Sequence, residues 1–252
     1  MEMQNFFEFI VLAFAACLVG HNLWLVAKDE TKIGVVTSDK FPESDSAVNP
    51  ARIVDFRAFT ENGEFEINDY EISETSLTAN IELEKAQLAA LELFPHPIVL
   101  EAGKFAGYIE SEAAASFVAP KFIEGKMTES QRESYAKFAK VLIDNDSFEK
   151  AVGQKIEIVL QTNPAQIKAD EKLKVKVLFD GKPIEGLRVS VGAANLNGGK
   201  YFAHSRTDAD GLAELEVSGN GLWFVRTHFI RPHSDTDKFD WESFWASVTF
   251  YI

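Results

Sequence analysis

The stretches that decide the fold are LWFVRTHFIR at residues 222–231 and SFWASVTFYI at residues 243–252. Both are rich in aromatic and β-branched residues, which suit the pleated surface of a β-strand. Shorter runs of the same kind precede them at regular spacing, at residues 156–161, 172–179, 187–193, 201–207 and 212–217. Seven strands within about a hundred residues are typical of an immunoglobulin-like or transthyretin-like sandwich. The sequence therefore predicts a seven-stranded β-sandwich domain over residues 155–252.

The preceding part of the chain, residues 21–154, is predicted to form a second β-sandwich-like domain. Residues 53–59 alternate apolar and polar side chains, which is typical of a strand. Two helices are also predicted in this domain, because residues 101–115 and 129–144 carry apolar side chains at helical spacing. The predicted fold class of the whole chain is mainly β, with two β-sandwich-like domains and two helices in the first.

The charge of the chain limits its partners. It has 252 residues, with 39 Asp and Glu against 25 Lys and Arg, for a net charge of −14. Such a surface repels nucleic acid and anionic lipid, so no nucleic-acid partner is expected. The single cysteine, Cys17, excludes an intramolecular disulfide and a cysteine-rich zinc site.

The N-terminal segment predicts export. Residues 9–20 read FIVLAFAACLVG, which is long enough for a signal-peptide core but too short to span a bilayer. We therefore expect residues 1–20 to be a signal peptide, His21 to begin the mature chain, and the mature protein to lack a transmembrane segment. The predicted location is the periplasm or another exported compartment. Two alternatives stay open: lipid attachment at Cys17, where Ala15-Ala16-Cys17 resembles a lipobox, and a buried N-terminal helix or strand.

Several stretches of this sequence resemble one bacterial family. The most specific are HNLWL at residues 21–25 and WESFWASVTF at residues 241–250, and PHPI at residues 95–98 and DGKP at residues 180–183 also fit. The family is the periplasmic component of nickel/cobalt uptake systems, long treated as a domain of unknown function. The resemblance implies an extracytoplasmic, largely β protein that binds nickel or cobalt in association with ABC-type metal uptake. It also implies a metal ion and a membrane metal transporter as partners.

Histidines are the candidate ligands for such a metal, because nickel, cobalt and copper prefer imidazole nitrogen to oxygen. If cleavage exposes His21, its α-amine and ring nitrogen can chelate one metal together. His96 lies between two prolines, in a rigid segment. His228 shares a strand face with Arg226 by alternation. The sequence thus predicts a divalent transition-metal site made from His21, His228 and His96.

No catalytic signature is present, so the sequence predicts a protein that is not an enzyme. It contains no nucleophile elbow, no zinc-protease helix motif and no phosphate-binding glycine loop. The alternative function is an envelope binding module for carbohydrate or protein, with aromatic side chains as its contact surface and no metal.

Overall fold

A computed structural model describes residues 22–29, 31–81, 86–114, 116–118, 128–168 and 171–252. The predicted signal peptide, Cys17 and His21 lie outside these residues. The strands are β1 (Asn22–Asp29), β2 (Lys32–Ser38), β3 (Ile53–Thr60), β4 (Gly63–Glu66), β5 (Tyr70–Ile72), β6 (Leu77–Asn80), β7 (Leu88–Leu100), β8 (Gln131–Leu142), β9 (Ile156–Leu160), β10 (Lys172–Phe179), β11 (Lys182–Pro183), β12 (Arg188–Ala193), β13 (Tyr201–Arg206), β14 (Leu212–Glu216), β15 (Leu222–Pro232) and β16 (Trp241–Tyr251). Helix α1 is Ala102–Ser111, and residues 116–118 are also helical.

The strands form three sheets. The largest has eight strands in the order β13-β12-β15-β16-β8-β7-β3-β4, and all its neighbours are antiparallel except β16 and β8, which run parallel. A second sheet has the order β1-β2-β6-β5. In the third, β10 pairs with β9, β11 and β14.

The eight-stranded sheet is the middle layer, because both its faces are covered. On one face, which we call the β10 face, side chains such as Phe138, Val225 and Phe244 pack against the β10 sheet. On the opposite face, the α1 face, the β1 sheet covers strands β3, β7 and β8, and helix α1 covers β15 and β16. This double burial explains why β15 and β16 read as nearly continuous apolar runs.

The structure confirms the predicted mainly β, β-sandwich-like fold. Strands appear at all seven predicted positions after residue 155, and the first predicted helix is α1. The second predicted helix, over residues 129–144, is wrong, because this segment forms strand β8. Phe138 and Leu142 of β8 face the β10 sheet, whereas Ala139 and Val141 face the β1 sheet. A strand with apolar residues on both faces lacks the alternation of apolar and polar side chains that identifies a strand in sequence. The apolar positions of β8 happen to match the spacing expected for a helix.

The predicted boundary between the two domains, at residues 154 and 155, falls between β8 and β9. The eight-stranded sheet takes β3, β4, β7 and β8 from before this boundary and β12, β13, β15 and β16 from after it. Both halves of the chain therefore contribute to one sheet. Among the helices in the described part of the chain, none is long and apolar enough to cross a membrane.

Candidate functional site

The candidate site is a group of buried polar side chains on the α1 face of the eight-stranded sheet. We call it the buried polar network. Strand β15 supplies two members, and the others come from β1, α1, β8, β16 and the residue after α1. Its members are Asn22, Tyr108, Glu112, Glu133, Arg226, His228 and Ser243.

His228 is the member with an unused metal-binding atom. The residue is 4% exposed and its ring lies 4.4 Å from the Trp245 ring. Its Nε2 lies 2.6 Å from the Tyr108 hydroxyl oxygen, while Nδ1 has no hydrogen-bond partner among the described residues. Burial, with a smaller effect of the nearby Arg226 charge, holds the pKa of His228 well below its usual 6.5. The imidazole is therefore neutral at physiological pH and keeps one lone pair.

Glu133 determines which nitrogen of His228 carries that lone pair. The Tyr108 hydroxyl lies 3.2 Å from Glu133 Oε1, and the Ser243 hydroxyl donates a hydrogen bond to the same oxygen. When Tyr108 donates to the carboxylate, its oxygen accepts from the protonated Nε2 of His228. Nδ1 is then the unprotonated nitrogen. Burial raises the pKa of Glu133 to about 7, so this carboxyl titrates close to neutral pH.

Arg226 connects the network to the start of strand β1. Its guanidinium donates to Asn22 Oδ1 at 2.8 Å and to the Glu112 carboxylate. It also stacks on the rings of Tyr201 and Trp245, at 4.9 and 5.1 Å from their centroids. Burial lowers the pKa of Arg226 to about 10, so the side chain stays charged at neutral pH. Glu112 offsets this charge.

Strand β1 is held in a fixed register on β16. The Ser247 hydroxyl donates to the Leu23 carbonyl oxygen, and the Thr249 hydroxyl donates to the Leu25 carbonyl oxygen. A step of two residues along β16 therefore corresponds to a step of two residues along β1 in the same direction. The Asn22 amide adds a 2.9 Å hydrogen bond to the Tyr201 hydroxyl. Asn22 therefore anchors the start of strand β1 to the network.

His96 lies elsewhere on the same face. It is on β7, exposed to solvent, and pairs across the sheet with Tyr135, whose ring centroid is 5.6 Å from its own. Partial burial, and then the charges of Arg52 and Lys137, lower the pKa of His96. Strands β16 and β8 separate β7 from β15. Three interstrand spacings amount to about 14 Å, so the structure does not bring His96 and His228 together.

The three predicted ligands therefore have different outcomes. His228 is buried in the network, His96 lies apart from it, and His21 precedes the described residues. Within the ranges that the structure describes, no three His, Cys, Asp or Glu side chains form a group that could hold a metal.

Sequence reasoning missed Tyr108, Glu112 and Glu133 as members of a site. Tyr108 fell within the segment 101–115, which was considered only for its helical spacing, and Glu133 fell within the segment mistaken for a helix. The available signal was the parallel pairing of β8 with β16, which no local pattern reveals. A charged residue such as Glu133 in a strand buried on both faces would then have been conspicuous.

Comparison with known proteins identifies a family to which this chain is similar. A family model described as a domain of unknown function (DUF4198) matches residues 18–231 of the chain. The matched range contains every member of the buried polar network except Ser243. No curated protein matches the chain.

Proposed function

The chain belongs to the DUF4198 family, and we propose that it is a non-enzymatic, extracytoplasmic protein that binds a divalent transition metal. The observation that carries this proposal is the buried Nδ1 of His228, which has no hydrogen-bond partner among the described residues. A buried nitrogen lone pair without a partner costs free energy unless a ligand uses it. Nickel and cobalt, and also copper, are the metals that favour such a ligand.

The surroundings of His228 support this role. Histidines that bind metals usually donate their other ring N–H to a hydrogen-bonding partner, which fixes the tautomer and the ring orientation. Tyr108 and Glu133 form such a chain on the Nε2 side. The low pKa of His228 adds to this, because a metal ligand must be a neutral imidazole.

His21 supplies the remaining nitrogen ligands in this proposal. The next residue, Asn22, accepts a hydrogen bond from Arg226, and Arg226 lies on strand β15 together with His228. After cleavage behind Gly20, the α-amine and imidazole of His21 and Nδ1 of His228 would give three nitrogen ligands. His96 is left out of this set because it lies three strands away from His228.

This ligand set fits a carrier or sensor in the cell envelope that works with a membrane metal transporter. The processed chain would acquire its site only after export, because the α-amine of His21 becomes free on cleavage. Glu112 neutralises Arg226, so a cation can approach His228 without meeting an unpaired positive charge.

The proposal is tested by calorimetric titration of Ni²⁺, Co²⁺ and Cu²⁺ into protein that begins at His21. We expect His21→Ala to weaken binding by about tenfold or more, and Tyr108→Phe to weaken it by roughly 10- to 100-fold through loss of ring orientation. Adding one residue before His21 should weaken binding less than His21→Ala, because the imidazole is retained. His204→Gln and Tyr251→Phe are matched controls at exposed positions and should bind like the wild type.

Equal metal affinity of the processed, extended and His21→Ala proteins would contradict the proposal. In that case the function would be the alternative one, an envelope module that binds carbohydrate or protein.

A further inference from the structure

We propose that a cavity beside the paired ends of strands β10 and β14 is a second site, which binds an uncharged sugar. The cavity has a volume of about 620 Å³, which lies within the usual range for small-molecule sites. It is found where β10 begins, where β14 ends and near the start of β13. We call it the Phe202 cavity, and its lining consists of residues 167–168, 171–172, 202, 216–220 and 252.

Part of the lining is apolar. Ile167, Val217 and Ile252 line the cavity and pack against the hydrophobic core between the eight-stranded sheet and the β10 sheet. Phe202 is 46% exposed, and its ring meets the buried Trp223 ring edge-on at 6.3 Å. The face of an aromatic ring carries partial negative charge, so it attracts the C–H groups of a sugar ring. The apolar part of the lining therefore suits the ring of a sugar.

The rest of the lining carries hydrogen-bond donors and acceptors. Ser218 supplies a hydroxyl and Asn220 an amide, while Lys172 supplies an ammonium group and Glu216 a carboxylate. A sugar hydroxyl both donates and accepts hydrogen bonds, so a sugar can use groups of both kinds. An apolar surface combined with a few polar groups is the usual composition of a small-molecule site.

The charges in the lining favour a neutral ligand. Lys172 of β10 lies directly opposite Glu216 of β14. Glu171 is equally close to Lys168, whose backbone N–H donates to its carboxylate at 3.1 Å. The described residues of the lining thus include two lysines and two glutamates, and no net charge results. All four side chains are exposed, so the attraction of any one of them to a charged ligand would be small.

The backbone around the cavity is held by contacts that need no ligand. The Trp223 indole N–H donates to the Gly219 carbonyl oxygen at 3.2 Å. Gly221 and Ile252 exchange two backbone hydrogen bonds of 3.0 Å. These contacts fix the segment after β14 relative to the end of β16. Little conformational entropy would therefore be lost when a ligand binds beside it.

The Phe202 cavity is separate from the buried polar network. Ile252 directly follows strand β16, and Trp245, whose ring lies 4.4 Å from that of His228, is on the same strand. The separation between these two positions along the strand amounts to about 23 Å. The inference therefore does not depend on the proposed metal site.

The test is an NMR titration of metal-free protein that carries ¹³C-labelled isoleucine methyl groups, with glucose, galactose, mannose and N-acetylglucosamine as probes. We expect at least one of these sugars to shift the methyl resonances of Ile167 and Ile252 in a saturable way. Its affinity should not change with sodium chloride concentration, because a neutral ligand is not screened. The absence of a saturable shift with all four sugars would overturn the inference, and so would an affinity that falls as salt rises.

Two variants locate the binding at the cavity. Phe202→Ala should weaken sugar binding about three- to tenfold, because the half-exposed ring loses its contact with the sugar. Asn220→Ala should weaken it by a similar factor, about three- to tenfold, through the loss of a hydrogen bond. The control Phe94→Ala removes a phenylalanine that is 55% exposed on β7, outside the cavity, and should alter affinity by less than about twofold.

The inference is overturned if Phe202→Ala and Asn220→Ala bind the sugar as tightly as Phe94→Ala does. It is also overturned if leucine, a zwitterion with an apolar side chain, shifts the same isoleucine resonances at lower concentration than every sugar. His21→Ala should leave sugar binding unchanged, so this test and the metal titration fail independently.

Discussion

Single buried polar side chains define the chemistry of this protein at the residue scale. His228 and Glu133 are 4% and 2% exposed, and burial shifts the pKa of each towards the neutral form. The Tyr108 hydroxyl lies between them and is within hydrogen-bonding distance of both. The protonation of one carboxyl thus bears on the ring orientation of a proposed metal ligand.

Glu133 should make the stability of the protein depend on pH. Its folded-state pKa of about 7 lies above the ordinary 4.5, so the unfolded chain releases this proton first. The free energy of unfolding should therefore fall as pH rises from 4.5 to 7, by up to about 3 kcal/mol from this group. The side chain at position 133 in Glu133→Gln cannot titrate, so this fall in the free energy of unfolding should be absent. As pH rises from 4.5 to 7, the variant should therefore become more stable relative to the wild type. The lowered pKa of His228 makes the free energy of unfolding rise with pH, but this contribution is present in both proteins and cancels in the comparison.

Urea unfolding of both proteins at pH 4.5, 6 and 7.5 measures this difference. If the difference in free energy of unfolding between the wild type and Glu133→Gln stays constant with pH, the pKa of Glu133 is not raised in the folded protein.

At the scale of the elements, sequence patterns identified helix α1 and strands β15 and β16 but failed for strand β8. Helix α1 was predicted because Phe105 and Ile109 lie on its buried side. Strand β8 was mistaken for a helix because Phe138 and Ala139 are buried on opposite faces. Its parallel partner β16 lies about a hundred residues away in sequence. Glu133 was missed as a member of the candidate site for the same reason, since it lies on β8.

The loop after β2 depends on Gly199 for its contact with the turn before β13. Phe41 packs against Trp24 and Phe224, and its N–H donates to the Gly199 carbonyl oxygen at 3.2 Å. A side chain at Gly199 would place its Cβ 1.8 Å from the Phe41 carbonyl oxygen. Gly198, next to it, also has a positive φ, but nothing lies within 4 Å of its Cβ position.

Gly199→Ala should therefore destabilise the protein clearly more than Gly198→Ala, by about 1–3 kcal/mol, because only Gly199 meets the neighbouring backbone. Both variants share the cost of a left-handed backbone, which cancels in the comparison. Thermal or urea unfolding measures both values. Equal losses would mean that the contact between Phe41 and Gly199 does not constrain the fold.

At the scale of the whole molecule, the fold has three layers, and the eight-stranded sheet is the middle one. Four strands from residues 155–252 and four from residues 22–154 form the two sides of this sheet, and the parallel pairing of β16 with β8 joins them. A buried ion pair also crosses the predicted boundary, because Lys140 of β8 contacts Glu157 of β9 at 2.7 Å with both side chains 2% exposed. Breaking such a pair costs about 3–5 kcal/mol, which couples the two segments strongly.

The described chain should therefore unfold in one transition. Far-UV circular dichroism reports the strands of all three sheets, and tryptophan fluorescence reports Trp24 in β1, Trp223 in β15 and Trp241 and Trp245 in β16. We expect both signals to change at the same urea concentration. Two separated transitions would show that residues 22–154 and 155–252 are independent domains, as the sequence predicted.

The proposed function requires that a transition metal binds to His21 and His228. X-ray absorption spectroscopy of the one-to-one nickel complex of the processed protein tests it most directly, because it counts imidazole ligands. We expect two imidazoles in the wild type and in His96→Gln, and one in His21→Ala and in His228→Gln. A nickel site with the same imidazole count in His228→Gln as in the wild type would contradict His228 as a metal ligand.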